Sequence, residues 1–426
     1  MEESLPITIL ISVTVVAGIA AQVLAGYFHI PSIVLLLLFG ILLGRDGLTF
    51  LDPSLLGVGL EVVVSLSVAL ILFEGGLNLQ LGELKEVSTS LRNLVTLGVL
   101  ITFVGAGIAA HWLSEFPWPI AFLYASLVVV TGPTVINPLL KQIGVEKQVS
   151  TLLEGEGVFI DPIGAILAVI VLNFVLSGNV QPLILVKALV LRLGIGVALG
   201  LGGGWLLSKL LKQDKFLSQE LKNLVVLASV WGLFSLAQVL RSESGLVVAV
   251  VMGIVLKASN LPSESLLRQF NEQLSILANS VLFILLAADL SIASVFALGW
   301  GSVLTVLVLM VIVRPIDILI STWNQGLKWQ QQLFLSWVAP RGIVAASLAS
   351  LFAVSLTKQG INGGDSIKAL VFLTIIMTVF FQGLTAPWIA SLLNLRLTSQ
   401  TDLECSQSAS DDIKMQEDGE IVNPAS

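Results

Sequence analysis

Hydrophobic positions in this chain come in long continuous runs rather than alternating stripes. Cutting the runs at polar, charged and proline breaks gives thirteen segments, near 5–27, 31–45, 57–78, 92–113, 118–140, 149–177, 182–208, 220–240, 243–257, 268–289, 296–321, 331–357 and 365–394. A helix needs about 20 apolar residues to cross the hydrocarbon of a bilayer. Most of the runs reach that length, and the second and ninth are short. A transmembrane β-barrel would show short alternating segments instead. The pattern predicts an all-α polytopic membrane protein of about 13 transmembrane helices.

Composition agrees. The 426 residues are 56% hydrophobic and only 12% charged, with a mean hydropathy of +0.97. A soluble globular chain carries about 25% charged residues, so an ordinary soluble enzyme is excluded. Intrinsic disorder of the whole chain is excluded too, since it requires low hydrophobicity. A single cysteine, Cys405, rules out a disulfide framework. With two histidines it leaves nothing to build a zinc or iron site, and no cofactor is expected.

The formal net charge of −7 is concentrated at one end. Asp402, Glu404, Asp411, Asp412, Glu417, Asp418 and Glu420 face only Lys414 in the last thirty residues. That stretch is polar and free of aromatics, so 395–426 reads as an acidic disordered tail behind a transmembrane domain at 1–394. The opening Met-Glu-Glu-Ser is acidic, whereas a secretory signal starts with positive charge. The first run therefore reads as a retained span. Assigning connections alternately to two sides puts thirteen Lys and Arg, the tail included, on one side and four on the other. The positive-inside rule then places the N-terminus outside and the C-terminus in the cytoplasm.

Ionisable groups within apolar spans are costly and mark function by default. Here they are Glu74, Glu154, Glu156, Asp161, Lys187, Arg192, Arg314, Asp317 and Arg341, with Asp289 near a span end. Lys187 and Arg192 lie early enough in their span to snorkel. Arg314 and Asp317 are three apart and can pair with each other. Asp161 lies about a third of the way into the sixth span, too deep for a routine interfacial charge. Glu154 is two helical turns before it, on the same face. Pro162 has no N–H, which frees the carbonyl of Val158 as a cation ligand beside Asp161. Glu154 and Glu156 could equally be charges held in salt bridges at the helix end.

Two spans are interrupted. The fifth reads Val-Thr131-Gly132-Pro133-Thr134 and the twelfth Val-Ala-Pro340-Arg341-Gly342. Adjacent Gly and Pro break a helix, and lipid tolerates a break only where it is buried in protein or lines a cavity. Fifth and twelfth differ by seven, so the chain parses as six spans, a linking seventh, and six more in inverted orientation. Paired breaks in two inverted six-helix repeats are the best sequence pointer to a transporter's binding site. A buried Arg341 requires a carboxylate, with Glu156 the first choice and Glu154 and Glu74 behind it.

Other signals are weaker. Gly196, Gly200 and Gly204 superficially suggest a dinucleotide loop, but spacing and context are wrong. Four-residue steps of glycine fit close helix packing better. No basic, aromatic-interleaved patch points to nucleic acid, and no nucleophile–histidine pair points to hydrolysis.

The residues resemble the monovalent cation/proton antiporters, in particular the sodium/proton exchanger branch found in prokaryotes. The resemblance spans about 1–394 and is carried by Leu-Phe-Glu74-Gly-Gly-Leu-Asn, the broken fifth span, Leu-Glu154-Gly-Glu156 leading to Asp161, and Arg341-Gly342. It implies that Asp161 binds cation and proton, that Thr131 lends an oxygen and that Glu156 pairs with Arg341; Glu156, Glu154 and Glu74 are the further candidates for binding ion or proton. It also implies a homodimer in a bacterial plasma (inner) membrane, surrounded by lipid, with sodium or potassium ion and proton as partners. Three positions depart from the family pattern. Gly132 stands where Asp is usual, Ile160 where Asn is usual, and Gly157 where Ser is frequent. Fewer polar side chains imply weaker ion binding, or more coordination left to water and Glu74. The expected function is sodium/proton antiport by competition at Asp161, with potassium/proton antiport and a cation channel as the alternatives. Enzymatic chemistry is not expected.

Overall fold

The structure is a computed structural model that describes residues 4–396, apart from 29, 80, 85–86, 178–181, 213–217, 260 and 262–263. The acidic tail lies outside the described residues, as do Lys85 and Lys215 of the charge count. Each apolar run forms helix, as it must where lipid offers the backbone no hydrogen-bond partner. Among the described residues nine helices are long and apolar enough to cross a membrane, and four shorter apolar ones accompany them. Large aromatics such as Trp112, Trp300, Trp323 and Trp388 are exposed, as expected of residues at a membrane–water interface.

The spans keep the ordinal names of the runs. Spans one to three are Ser4–Phe28, Ser32–Leu43 and Val58–Asn78. The fourth is Ser88–Leu113. The fifth is split into Trp118–Val128 and Pro133–Ile143. The sixth is the unbroken Lys147–Ser177, which continues through Pro162. Spans seven to ten are Pro182–Leu211, Gln219–Leu240, Ser244–Ala258 and Glu264–Ala288. The eleventh is Gly299–Ser321. The twelfth is split into Trp329–Trp337 and Ile343–Lys358. The thirteenth is Gly364–Leu392. Pro133 opens its half-helix where a missing N–H costs nothing. Gly144 ends it with φ 65°, a left-handed turn that suits glycine. Single π-helical turns interrupt spans four, eleven and thirteen at Leu94–Gly98, Leu309–Val313 and Thr378–Gln382. Such turns are frequent at functional sites.

The spans pack as two bundles. Four, five, six, eleven, twelve and thirteen contact one another and form a core bundle. One, two, three and seven to ten form a second, panel-like bundle. The glycine stripe of span seven serves that panel. A Cβ on Gly196, Gly200 or Gly204 would lie 2.5, 2.7 or 2.9 Å from the Cβ of Val247, Val251 or Val255 of span nine. These are helix-packing glycines, and no nucleotide loop exists there.

Candidate functional site

The two broken spans cross at their breaks. Gly132 N–H donates to the carbonyl of Pro340 at 3.1 Å. A Cβ added to Gly132 would sit 2.5 Å from the Cα of Gly342, and the reverse holds at the same distance. Glycine on both sides is what lets the two backbones touch. Gly132→Ala is therefore expected to force the half-helices apart and to reduce transport at least tenfold. Initial rates in proteoliposomes, at matched protein incorporation, check this.

The freed backbone groups find partners on span thirteen. Ala339 N–H donates to Gln382 Oε1 and Arg341 N–H to Thr378 Oγ1, both at 3.2 Å. Thr378 and Gln382 sit on the π-helical turn and are buried. Sequence reasoning missed both. The available signal was a glutamine in mid-run, one helical turn after a threonine.

Asp161 lies against the first break. Gly157, one turn before it, faces Pro133, and Gly164, one turn after, faces Val130. These contacts bracket Asp161 beside Thr131 and Gly132. Asp161 and Thr131 are each 1% exposed. Asp161 Oδ1 and Thr131 Oγ1 have no hydrogen-bond partner among the described residues. Buried polar atoms are rarely left unpaired without a reason. Two neighbouring oxygens that lack protons to accept suit a small cation.

The three departures from the family pattern are filled by packing. Gly132 makes the crossing. Gly157 would bring a Cβ 3.1 Å from the Pro133 ring. Ile160 joins an apolar cluster with Val99 and Val129.

The expected ion pair is different. Glu156 is bound by Arg314, not by Arg341: Arg314 Nη1 and Nη2 donate to Glu156 Oε1 and Oε2 at 2.6 and 2.8 Å. Arg314 also contacts Asp317 at 3.2 Å, the pairing anticipated from their spacing. Ser321 Oγ donates to Asp317 Oδ1 at 3.0 Å. Both Glu156 oxygens are engaged in the fork geometry that carboxylates and guanidinium favour. Glu156 is thus a structural partner rather than a free ligand. Arg341 lies in the non-helical break of span twelve, and its Nη1 reaches the carbonyls of Val129 and Val130 at 3.2 and 3.4 Å. Those carbonyls end the half-helix Trp118–Val128. Arg314 does the same for the other half-helix, donating from Nε to Leu335 O at 3.3 Å. Each arginine neutralises the negative end of one half-helix.

Glu74 and Glu154 are half-buried and line a cavity of about 480 Å³ with Asn78, Pro133, Asn137 and Asn279. Asn78 donates to Glu74 Oε1. The cavity lies between the bundles and reaches Pro133 but not Asp161, about one helical turn deeper. A second cavity of about 180 Å³ sits at the other end of spans three and ten, lined by Glu61, Gln238, Glu243, Asp289, Ser347 and others. Glu243 follows span eight in a left-handed conformation. Burial pushes its carboxyl up to about 7, opposed by the charge of Arg192. The folded protein then holds a proton that the unfolded chain releases near 4.5. Stability is expected to fall as pH rises from about 4.5 through 7 and to level off above. Melting curves of the native protein and Glu243→Gln check this, since the variant should lose that slope.

The comparisons agree with this geometry. The Na(+)/H(+) antiporter ApNhaP of Aphanothece halophytica is 26% identical over 404 residues, covering 91% of this chain and 74% of that protein. The low-affinity Na(+)/H(+) antiporter NhaS1 of Synechocystis is 29% identical over 384 residues, covering 86% and 70%. The K(+)/H(+) antiporter NhaP2 of Shewanella is 25% identical, covering 86% of this chain and 63% of that protein. The solved structure of the sodium proton antiporter MjNhaP1 of Methanocaldococcus jannaschii at pH 8 shares the fold, with a TM-score of 0.83 at 22% identity over 92% and 99% of the two chains. The profile of the transmembrane sodium/hydrogen exchangers matches residues 10–392. With its crossed broken helices and buried acid, this chain belongs to the sodium/hydrogen exchanger family of membrane transporters.

Proposed function

We propose that the protein is a secondary-active antiporter that exchanges one monovalent cation, sodium first, for one proton at Asp161. The observation that carries this reading is a charge imbalance. Among the described residues, the interior of the core bundle holds three buried carboxylates, Glu156, Asp161 and Asp317, against two buried guanidiniums, Arg314 and Arg341. Arg314 is bonded to Glu156 and Asp317, and Arg341 is the second cation whose charge those two carboxylates feel, which leaves the odd charge to Asp161. An isolated buried carboxylate is untenable without a compensating charge. One proton or one monovalent ion supplies it, and the two exclude each other. When the cation binds, the proton leaves Asp161 for the adjoining water. Thr131 and the Val158 carbonyl complete the ion's shell, with water entering past Glu74 and Glu154.

Each half of the cycle carries a neutral site, so the exchange is one for one and moves no net charge. The core bundle moves against the panel, opening one cavity and closing the other. The meeting of the breaks at 129–132 and 338–342 supports this motion, as does the reading of the chain as two inverted repeats. The basic-residue count puts the larger cavity on the cytoplasmic side and the N-terminus outside. A homodimer in a bacterial plasma membrane belongs to the same reading. The relative named as a K(+)/H(+) antiporter makes potassium the second candidate cargo. A channel would carry ions without displacing protons.

Purified protein in vesicles with an internal pH dye, challenged with sodium, potassium and lithium from about pH 6 to 9, tests the reading. Saturable dye signals that persist with the membrane potential clamped at zero support it. Cation flux without proton movement refutes it.

A further inference from the structure

On the face away from the larger cavity, an ion pair joins the two bundles. Lys368 lies on the second turn of span thirteen, in the core bundle, and Asp289 directly follows span ten, in the panel. Lys368 Nζ donates to Asp289 Oδ2 at 2.5 Å and to the Asp289 carbonyl at 3.0 Å. The carbonyl is one of the unpaired acceptors at the end of span ten, where a cation is favoured. Both side chains are mostly shielded, at 17% and 18% exposure.

Asp289 has a second cation in reach. Arg45 Nη1 is 4.0 Å from Asp289 Oδ1. Arg45 follows span two, so it travels with the panel and not with the core. It is held there by Asp52, through Nε at 3.0 Å and Nη2 at 2.8 Å. Asp289 can thus exchange a partner on the opposite bundle for one on its own. Separation of the bundles would not strand a carboxylate, so the contact can open without the full cost of an uncompensated charge.

Asp289 also walls the smaller cavity, together with Ser347 and Leu348 of the half-helix Ile343–Lys358. The cavity on this face is the smaller of the two, about 180 Å³ against about 480 Å³ on the opposite face. We propose that Lys368 and Asp289 form a latch that holds the two bundles together on this face, and that transfer of Asp289 from Lys368 to Arg45 accompanies its opening. Lys368 is here a positioning residue that never touches the transported ion. The proposal rests on the two-bundle exchange reading above.

The test measures opening directly and does not depend on which ion is carried. Cys405 is the sole cysteine, so Cys405→Ser gives a thiol-free background, into which Ser347→Cys places a reporter in the cavity wall. Labelling by a membrane-impermeant maleimide is followed in vesicles sorted by orientation, with and without Lys368→Gln. Loss of the latch is expected to raise the labelling rate about two- to fivefold, the range for a partly exposed ion pair. Lys368→Arg should stay near the parent rate. The charge swap Lys368→Asp with Asp289→Lys should bring the rate back toward it. An unchanged rate in a Lys368→Gln protein that elutes as a single species overturns the latch, and so does a charge swap that labels as fast as Lys368→Gln. Either failure leaves the role of Asp161 untouched, since that is read by the pH dye.

Discussion

Asp161→Asn is expected to abolish cation-driven proton movement while leaving the protein folded. Asparagine has almost the same volume, so the contacts of Gly157 with Pro133 and of Gly164 with Val130 on either side of it survive. The substitution also removes the unmatched charge. Glu156 and Asp317 then balance Arg314 and Arg341, and the interior needs neither proton nor sodium. The transport readout is loss of the dye response to sodium or potassium at every pH. A second readout is independent of transport. A ligand that binds only the folded state stabilises it by about 2.7 kcal/mol at a hundredfold excess over its dissociation constant. Sodium should therefore raise the melting temperature of the native protein above neutral pH, where it no longer competes with protons. The variant should show no such rise. Retained exchange would remove Asp161 from the mechanism.

The largest loss of stability should come from Arg314→Met. Its guanidinium is 3% exposed and holds Glu156, Asp317 and the Leu335 carbonyl together. Methionine has similar bulk and no charge. It leaves two buried carboxylates with only Arg341 nearby, and removing one partner of a buried pair costs about 3–5 kcal/mol. The unfolding temperature in detergent should drop sharply. Adding Glu156→Gln should recover part of the loss, because the most exposed consequence of the first change is the uncompensated carboxylate. The same design with Arg341→Met and Glu156→Gln should show a smaller coupling, since Arg341 bonds carbonyls and meets Glu156 only through its charge. Coupling of Glu156 to Arg341 rather than to Arg314 would contradict the ion pairs described.

The deep placement of Asp161, the breaks at Gly132-Pro133 and Pro340-Arg341-Gly342, and the packing role of Gly196, Gly200 and Gly204 were all legible in the sequence. Each is a local property. Depth follows from counting residues along one span, a break from Pro and Gly within it, and a packing stripe from four-residue spacing. The span limits were less sharp, since the tenth starts at Glu264 rather than near 268. The choice between Arg314 and Arg341 for Glu156 was not legible. Both are lone arginines in apolar spans, and their linear distance from Glu156 carries no information on reach. The roles of Thr378, Gln382 and Lys368 were hidden for the same reason.

By itself the sequence determined that the chain spans a membrane many times, that two spans are broken, and that one acidic group lies where lipid could not accept it. Those outcomes need only the cost of placing backbone and charge in hydrocarbon, which each segment meets alone. The tertiary structure decided which charges neutralise which, that the glycines of the two breaks touch, and that Asp161 Oδ1 and Thr131 Oγ1 find no partner among the described residues. These depend on the relative height and rotation of separate helices. Such registers come from the packing of many side chains at once, and no single segment encodes them.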